Sequence, residues 1–185
     1  MTVDIGSQNC PDLTVPVTAR DHIQGKLSAP LVLVEYGDYE CPDCLNAWPV
    51  VQELQKALGE RLAFVFRHFP LSSVHPHASY AAQAAEAAAG EGKFWEMHDQ
   101  LFANQKNLAS LDLTHLALRM GMEIYRFETA LGSETNLRRI REDSLSAQDS
   151  GATGTPTFFI NGCRYRGAVN APALLQELQS HLTKL

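Results

Sequence analysis

Two short apolar runs near the start of the chain have the pattern of buried strands, and a helical pattern separates them. Leu31–Tyr36 is a short run rich in apolar and β-branched residues, which favours a buried strand over a helix. From Pro42 to Gly59, apolar residues recur at steps of three and four, which predicts a helix that Pro49 should bend. Arg61–Phe69 predicts a second strand. The order strand, helix, strand is typical of a parallel strand pair.

The middle of the chain, from His75 to about Gly151, has helical patterns and no convincing strand. The first of these patterns is rich in alanine, and we expect Gln83 and Glu86 to form its solvent face. The helical stretches, several of them closed by glycine, are Ala78–Ala89, Phe94–Phe102, Leu111–Met120, Ile124–Leu131 and Glu134–Asp149.

Strand patterns return near the end of the chain. Thr157–Ile160 and Cys163–Arg166 flank Asn161–Gly162, a strong short-range signal for a β-hairpin. Ala171–Leu182 then predicts a final amphipathic helix with proline in its first turn. We therefore divide the chain into an N-terminal arm (1–20) that is irregular or holds a short leading strand, a core in two pieces (21–71 and 152–185) and an all-helical insertion (72–151).

Composition narrows the classes of function. A chain of 185 residues with 45% hydrophobic residues is sufficient for a single packed domain. Its net charge of −6, without a basic block, argues against nucleic acid and anionic membrane surfaces as partners. The first thirty residues lack the basic start and the apolar stretch of a signal peptide, so we expect a cytoplasmic protein.

Cys41 and Cys44 form a Cys-x-x-Cys pair between the first predicted strand and helix. At a helix start, unpaired N–H groups and the positive end of the helix dipole stabilise a thiolate at Cys41, and Pro42 needs no N–H donor there. Cys44 lies one turn on and can resolve a mixed disulfide formed on Cys41. Zinc would need two further ligands, and no second spaced pair is present, so we expect no metal.

Pro156 stands directly before the apolar strand at Thr157 and is a candidate for a cis peptide bond, which only X–Pro bonds form at low cost. An ordinary trans proline at the first residue of a strand is the alternative. Because proline has no N–H, the backbone of Thr155 would be free to pair with an extended substrate.

Four motifs are similar to those of the DsbA-like thioredoxin-fold oxidoreductases, in the same order along nearly the whole chain. They are Gly-Asp-Tyr-Glu-Cys-Pro-Asp-Cys at 37–44, Arg-His-Phe-Pro-Leu at 67–71, Phe-Trp-Glu-Met-His-Asp-Gln-Leu-Phe at 94–102 and Gly-Thr-Pro-Thr-Phe-Phe-Ile-Asn-Gly at 154–162. The resemblance implies an α/β thioredoxin-like fold, with a central mixed sheet flanked by helices and an all-helical insertion.

The resemblance also assigns roles to individual residues. Cys41 matches the attacking cysteine and Cys44 the buried resolving cysteine, while Thr155 and Pro156 match the substrate-binding cis-proline loop. Glu35 resembles the buried acid that assists proton transfer at the resolving thiol. The implied activity is thiol–disulfide exchange with protein thiols or disulfides, or with glutathione. We expect no cofactor, a redox partner that the sequence does not name, and a monomer.

The chain departs from many DsbA proteins at Asp43, where they have histidine. Asp43 and Glu40 place negative charge beside Cys41, which predicts a site less oxidising than the strongest DsbA oxidants. Two alternatives stay open. A glutathione-dependent transferase or isomerase of the same fold typically lacks the second cysteine, so Cys44 counts against it. A non-catalytic binding or metal-delivery module would use the cysteines as soft ligands.

Two further groups of residues are expected to have no function. Cys10 and Cys163 could form a second disulfide or a regulatory thiol pair, but we expect free thiols, as is usual in cytosolic proteins. His68, His75 and His77 do not share one helical face, and we expect them in loops and on the surface.

Overall fold

The computed structural model describes Cys10 and residues 12–182, without the side chains of residues 110 and 111. The expected arm, residues 1–20, therefore lies partly outside the described residues. Five strands form one sheet: β1 (His22–Gln24), β2 (Leu31–Gly37), β3 (Leu62–His68), β4 (Thr157–Ile160) and β5 (Cys163–Arg164). The helices are α1 (Pro42–Leu58), α2 (Ala78–Ala89), α3 (Phe94–Ala103), α4 (Ser110–Arg119), α5 (Ile124–Ala130), α6 (Glu134–Asp149) and α7 (Ala171–Leu182).

The sheet has the strand order β1-β3-β2-β4-β5 and is mixed. β2 and β3 are parallel, joined by α1 as predicted, and the other three pairings are antiparallel. β2 lies at the centre and is almost entirely buried, because layers cover both faces of the sheet. The thioredoxin-like fold class expected from the sequence is confirmed.

Side chains alternate between the two faces of β2 and join two clusters. Leu31 and Leu33 pack with α1, α7 and the helices α2–α5 in the larger cluster, whereas Val34 and Tyr36 pack in the smaller one. By the same alternation, Glu35 shares the face of Leu33, on the side of α1. The helical part and the sheet thus share one continuous core.

The hairpin between β4 and β5 turns at Asn161 and Gly162, which both have positive φ (48° and 85°), as a tight two-residue hairpin requires. β1 has no counterpart in the sequence prediction, because three residues are too few to show a period. Among the residues described, no helix is both long enough and apolar enough to cross a bilayer.

The prediction for the Ala-rich helix α2 is wrong on one point. Gln83 and Glu86 are 8% and 9% exposed rather than solvent-facing. Neighbouring elements surround α2: Gln83 accepts a hydrogen bond from the N–H of Gly132, and Glu86 bonds to His22 and His68. Polar residues on this helix therefore satisfy partners inside the protein, which the pattern of a single helix cannot reveal.

Candidate active site

Cys41 and Cys44 lie where β2 passes into α1. Cys41 is the N-cap of α1 with extended backbone angles (φ −74°, ψ 123°), and Pro42 occupies the first turn, where no N–H donor is needed. Both thiols are free, and the residues are 5% and 0% exposed, respectively. The helix start thus directs unpaired N–H groups towards Cys41 while Cys44 is enclosed behind it.

The loop before β4 returns beside Cys41. Antiparallel pairing places Phe158 of β4 opposite Glu35 of β2, so the residues just before β4 lie near the end of β2. The Thr155–Pro156 peptide bond is cis. The Sγ atom of Cys41 lies 3.2 Å from the carbonyl oxygen of Thr155, and this contact joins two motifs that are 114 residues apart.

The two thiols differ in their tendency to ionise. Hydrogen bonding from the Cys44 thiol, supported by backbone N–H groups at the helix start, lowers the pKa of Cys41 to about 5 against the opposing effect of burial. Burial, followed by the interaction with Cys41, raises the pKa of Cys44 well above its ordinary value. This arrangement is suited to a nucleophilic thiolate at Cys41 and a protonated partner at Cys44.

Glu35 is a buried acid beneath this pair. Its side chain is 2% exposed, and among the described residues its Oε1 atom has no hydrogen-bond partner. Burial, followed by the negative charge of Cys41, raises the pKa of Glu35 to about 8. The charge of Glu35 also contributes to raising the pKa of Cys44. Glu35 is therefore placed to exchange a proton near neutral pH.

Two residues that the sequence analysis missed hold the turn around Cys41. Asp38 is buried; its N–H group donates to Cys44 Sγ (3.5 Å), and its carbonyl oxygen accepts from the N–H of Cys41 (3.1 Å). Gln105, after α3, donates from Nε2 to the carbonyl oxygens of Tyr39 and Cys41 (3.0 and 2.9 Å). Asp38 lies inside the Gly37–Cys44 motif and could have been noticed there, whereas nothing in the sequence marks Gln105.

The prediction for the three histidines is partly wrong. His75 and His77 precede α2 in a loop, as expected, but each bonds to an acid of the Gly37–Cys44 motif. His68 lies in β3 and is 1% exposed, because β3 is buried along its whole length. The predicted strand Arg61–Phe69 already included His68, but the pattern of a single strand did not show that both faces of β3 are covered.

His68 belongs to a buried cluster with His22 and Glu86. Both Nε2 atoms lie at 2.7–2.8 Å from one oxygen of Glu86, a set of ligands that can bind zinc. A zinc-bound histidine usually donates its other ring N–H to a partner, but Nδ1 of His68 has none among the described residues. Burial by itself would raise the pKa of Glu86, but its hydrogen bonds and charge interactions with the two histidines lower it.

Cys10 and Cys163 form a disulfide, so the expectation of free thiols is wrong. The bond joins the segment before β1 to β5. Main-chain and side-chain hydrogen bonds of Leu13 and Asp12 to the β4–β5 hairpin bring the segment to this edge of the sheet. The two cysteines are 153 residues apart, and such proximity is not visible in their local sequence.

Comparison with known proteins identifies relatives over nearly the whole chain. A family model described as thioredoxin matches residues 18–180. Curated relatives include a Na⁺/H⁺ antiporter NhaA 1 of Salinispora arenicola (47% identity over 91% of this chain) and an antiporter NhaA 3 of Salinispora tropica (45% over 94%). The chain spans only about a quarter of the length of these relatives (26% and 27%).

Solved structures show the same fold. A thioredoxin-like oxidoreductase from Silicibacter pomeroyi superposes with a TM-score of 0.80 at 24% identity, covering 91% of this chain and 95% of that one. Oxidised BdbD of Bacillus subtilis gives 0.79 at 24% identity (88% and 93%). The catalytic domain of Proteus mirabilis ScsC gives 0.77 at 21% identity (93% of each).

Proposed function

Since the chain belongs to the thioredoxin family, we propose that it is a thiol–disulfide oxidoreductase whose Cys41 and Cys44 exchange disulfides with protein substrates. The observation that carries the proposal is the contrast between the two neighbouring thiols. Cys41, at the start of α1, has a pKa lowered to about 5, while the buried Cys44 has a raised pKa. A low-pKa attacking thiol and a protonated resolving thiol are what two-step disulfide exchange requires.

In the direction of substrate reduction, the Cys41 thiolate attacks one sulfur of a substrate disulfide. A bond from Cys41 to that sulfur forms, the substrate S–S bond breaks, and the other substrate sulfur leaves as a thiolate that takes up a proton. Cys44 then loses its proton and attacks Cys41, and the second substrate sulfur is released. The substrate gains two electrons and two protons, and Cys41 and Cys44 are left as a disulfide. Oxidation of a substrate is the reverse sequence.

Glu35 is proposed to accept the proton of Cys44 in the resolving step. It shares the α1 side of the sheet, its charge interacts with Cys44, and its raised pKa of about 8 suits proton exchange near neutral pH. Thr155 and Pro156 are proposed to position the substrate backbone, since a chain attached to Cys41 would lie against the Thr155 carbonyl group.

The reduction potential of the cysteine pair and the cellular location of the protein stay predictions. We expect a reduction potential below that of the strongest DsbA oxidants because Asp43 and Glu40 lie beside Cys41, and equilibration with glutathione measures it. The cytoplasmic location expected from the sequence stays a prediction, and the disulfide between Cys10 and Cys163 supports a different proposal, because structural disulfides are rare in the cytosol. We therefore propose an oxidising compartment, which cell fractionation tests.

Ion transport is not proposed, because the chain matches only about a quarter of the length of the antiporter relatives. Glutathione remains an alternative substrate to protein disulfides. It is tested by substituting glutathione disulfide for the protein substrate in the same assay.

Insulin reduction tests the proposed activity. We expect turnover by the wild-type protein, none by Cys41→Ser, and accumulation of a mixed disulfide with substrate in Cys44→Ser, since only the resolving thiol is missing there. The double variant Cys10→Ser with Cys163→Ser is the control and should keep turnover. If wild type were no faster than Cys41→Ser, the enzyme proposal would fail. Bound metal in such an inactive protein would then favour the metal-delivery module.

A further inference from the structure

Two acid–histidine pairs join the loop before α2 to the turn that carries the cysteines. The Nδ1 atom of His75 lies 2.8 Å from Oδ2 of Asp38, and the same oxygen accepts a hydrogen bond from the N–H of Leu71 (2.8 Å). The N–H and Nδ1 of His77 both bond to the carboxylate of Glu40 (2.6 and 2.8 Å). Each of these acids of the motif is therefore matched by a histidine from outside it.

The pair formed by His75 and Asp38 is enclosed and in contact with both cysteines. The Asp38 side chain is 0% exposed and that of His75 is 19% exposed. The backbone of Asp38 bonds to Cys44 Sγ through its N–H and to the N–H of Cys41 through its carbonyl oxygen. Asp38 thus links His75 to both cysteines.

His77 differs from His75 in both exposure and position. Its side chain is 47% exposed, and its partner Glu40 is 19% exposed, so solvent screens this pair more strongly. Its partner Glu40 adjoins Cys41 in the chain and donates its N–H to Oδ1 of Asp38 (2.8 Å), but among the described residues no hydrogen bond joins Glu40 to either cysteine sulfur of the pair. His77 is therefore a matched control for His75: the same residue type, in the same loop, paired with another acid of the motif.

The charged groups that act on His75 are Asp38, Cys41 and Glu40, and all three are negative when ionised. Burial by itself would lower the pKa of His75, but the hydrogen bond and charge of Asp38, together with the charges of Cys41 and Glu40, raise it. The interaction is reciprocal, because a proton on His75 that is favoured by the Cys41 thiolate must favour that thiolate to the same extent.

We propose that His75 is a positioning residue of the Cys41–Cys44 pair: its imidazolium, held by Asp38, stabilises the Cys41 thiolate. This inference rests on the thiol–disulfide exchange proposed above. The Cys-Pro-Asp-Cys motif has an acid between its cysteines, and the stabilising cation comes instead from the loop before α2. As the pH rises, His75 loses its proton, and the stabilisation of the thiolate declines.

The redox state should in turn affect His75. Formation of the Cys41–Cys44 disulfide removes the thiolate, and with it one of the negative charges that favour the imidazolium. His75 then holds its proton less strongly, and oxidation of the pair is coupled to partial proton release from this side chain.

The test uses His75→Gln and His77→Gln in the full chain with the Cys10–Cys163 disulfide intact. The fraction of Cys41 thiolate is followed from pH 3 to 9 by its ultraviolet absorbance and by its rate of alkylation. We expect His75→Gln to raise the pKa of Cys41 by about half a unit to one unit, which is a three- to tenfold loss of thiolate at pH values below the transition. His77→Gln should shift it by clearly less.

A titration of the wild-type protein followed by nuclear magnetic resonance tests the same inference without a variant that could fail to fold. The His75 ring signal should show a higher pKa in the reduced than in the oxidised protein. An unchanged Cys41 pKa in His75→Gln, equal shifts in both variants, or identical His75 titrations in the two redox states would each overturn the inference. None of these measurements uses a disulfide substrate, so absence of insulin reduction would contradict the proposed function alone.

Discussion

The buried carboxyl group of Glu35 should make the stability of the protein fall as the pH rises. In the folded protein, burial and then the charge of Cys41 raise its pKa from 4.5 to about 8. Between these two values the unfolded chain releases the proton and the folded protein keeps it. A carboxyl group whose pKa is higher in the folded protein therefore makes its full contribution to stability at pH values below its pKa in the unfolded chain. That contribution is lost as the pH rises towards its pKa in the folded protein.

The size of this effect follows from the shift. Each pH unit in the window costs about 1.4 kcal/mol of unfolding free energy, so the complete loss is of the order of 5 kcal/mol. That is a large share of the stability of an ordinary domain, which is about 5–15 kcal/mol. Because burial is the larger cause, most of the effect should persist when the Cys41–Cys44 pair is oxidised and the thiolate is absent.

Urea denaturation of wild type and Glu35→Gln at pH 5, 7 and 9 measures it. Glutamine has nearly the same shape and stays neutral. The unfolding free energy of the variant relative to that of wild type should therefore rise by about 3–5 kcal/mol between pH 5 and 9, because the other titrating groups are the same in both proteins and largely cancel in the difference. Glu53→Gln, at an exposed position on α1, is the matched control and should follow wild type. Parallel curves for wild type and Glu35→Gln would refute the argument, because Glu35 would then ionise equally in both states.

Three further variants test other parts of the structure. Replacing Cys10 and Cys163 with serine should lower the unfolding free energy by about 2–4 kcal/mol, because the crosslink restrains the unfolded chain; equal denaturation midpoints would contradict the pairing. Gly37→Ala should cost about 1–3 kcal/mol by the same assay, since a Cβ there overlaps the Phe66 ring, and a neutral result would show that the ring can move. Glu86→Gln should cost about 2 kcal/mol at pH 7. The pKa of Glu86 is lowered in the folded protein, so the difference between variant and wild type should shrink as the pH falls from the ordinary carboxyl pKa towards this lowered value. A difference that stays constant at acid pH would contradict the interaction of Glu86 with His22 and His68.

Local patterns predicted the elements of this fold well where each element has its own period or turn. The run at Leu31–Tyr36 corresponds to β2, and Asn161–Gly162 forms the expected hairpin turn. Glu86 was placed wrongly because an amphipathic pattern shows which face of a helix differs, not what covers that face. The pairing of Cys10 with Cys163 was missed because contacts over 153 residues leave no local signal.

The sequence by itself determined the position of the reactive pair. A strand followed by Cys-Pro-x-Cys and an amphipathic helix places Cys41 at the helix start, whatever the rest of the chain does, because capping geometry is local. Cys44 follows within one turn for the same reason. The position of Pro156 directly before an apolar strand made it a candidate cis-proline, and the family resemblance added Glu35 and assigned Thr155 and Pro156 to substrate binding.

Only the tertiary structure decided the burial of that pair and the charges that reach it from other segments. The Cys44 thiol and the helix-start N–H groups that lower the pKa of Cys41 are local, whereas burial and the remaining charges are set by residues distant in sequence. Glu35 is driven towards its neutral form by the core on the α1 side of β2. Asp38 and His75 meet across 37 residues, and Thr155 reaches Cys41 across 114. The chemistry of the site is thus local, whereas its electrostatic environment is a property of the whole fold.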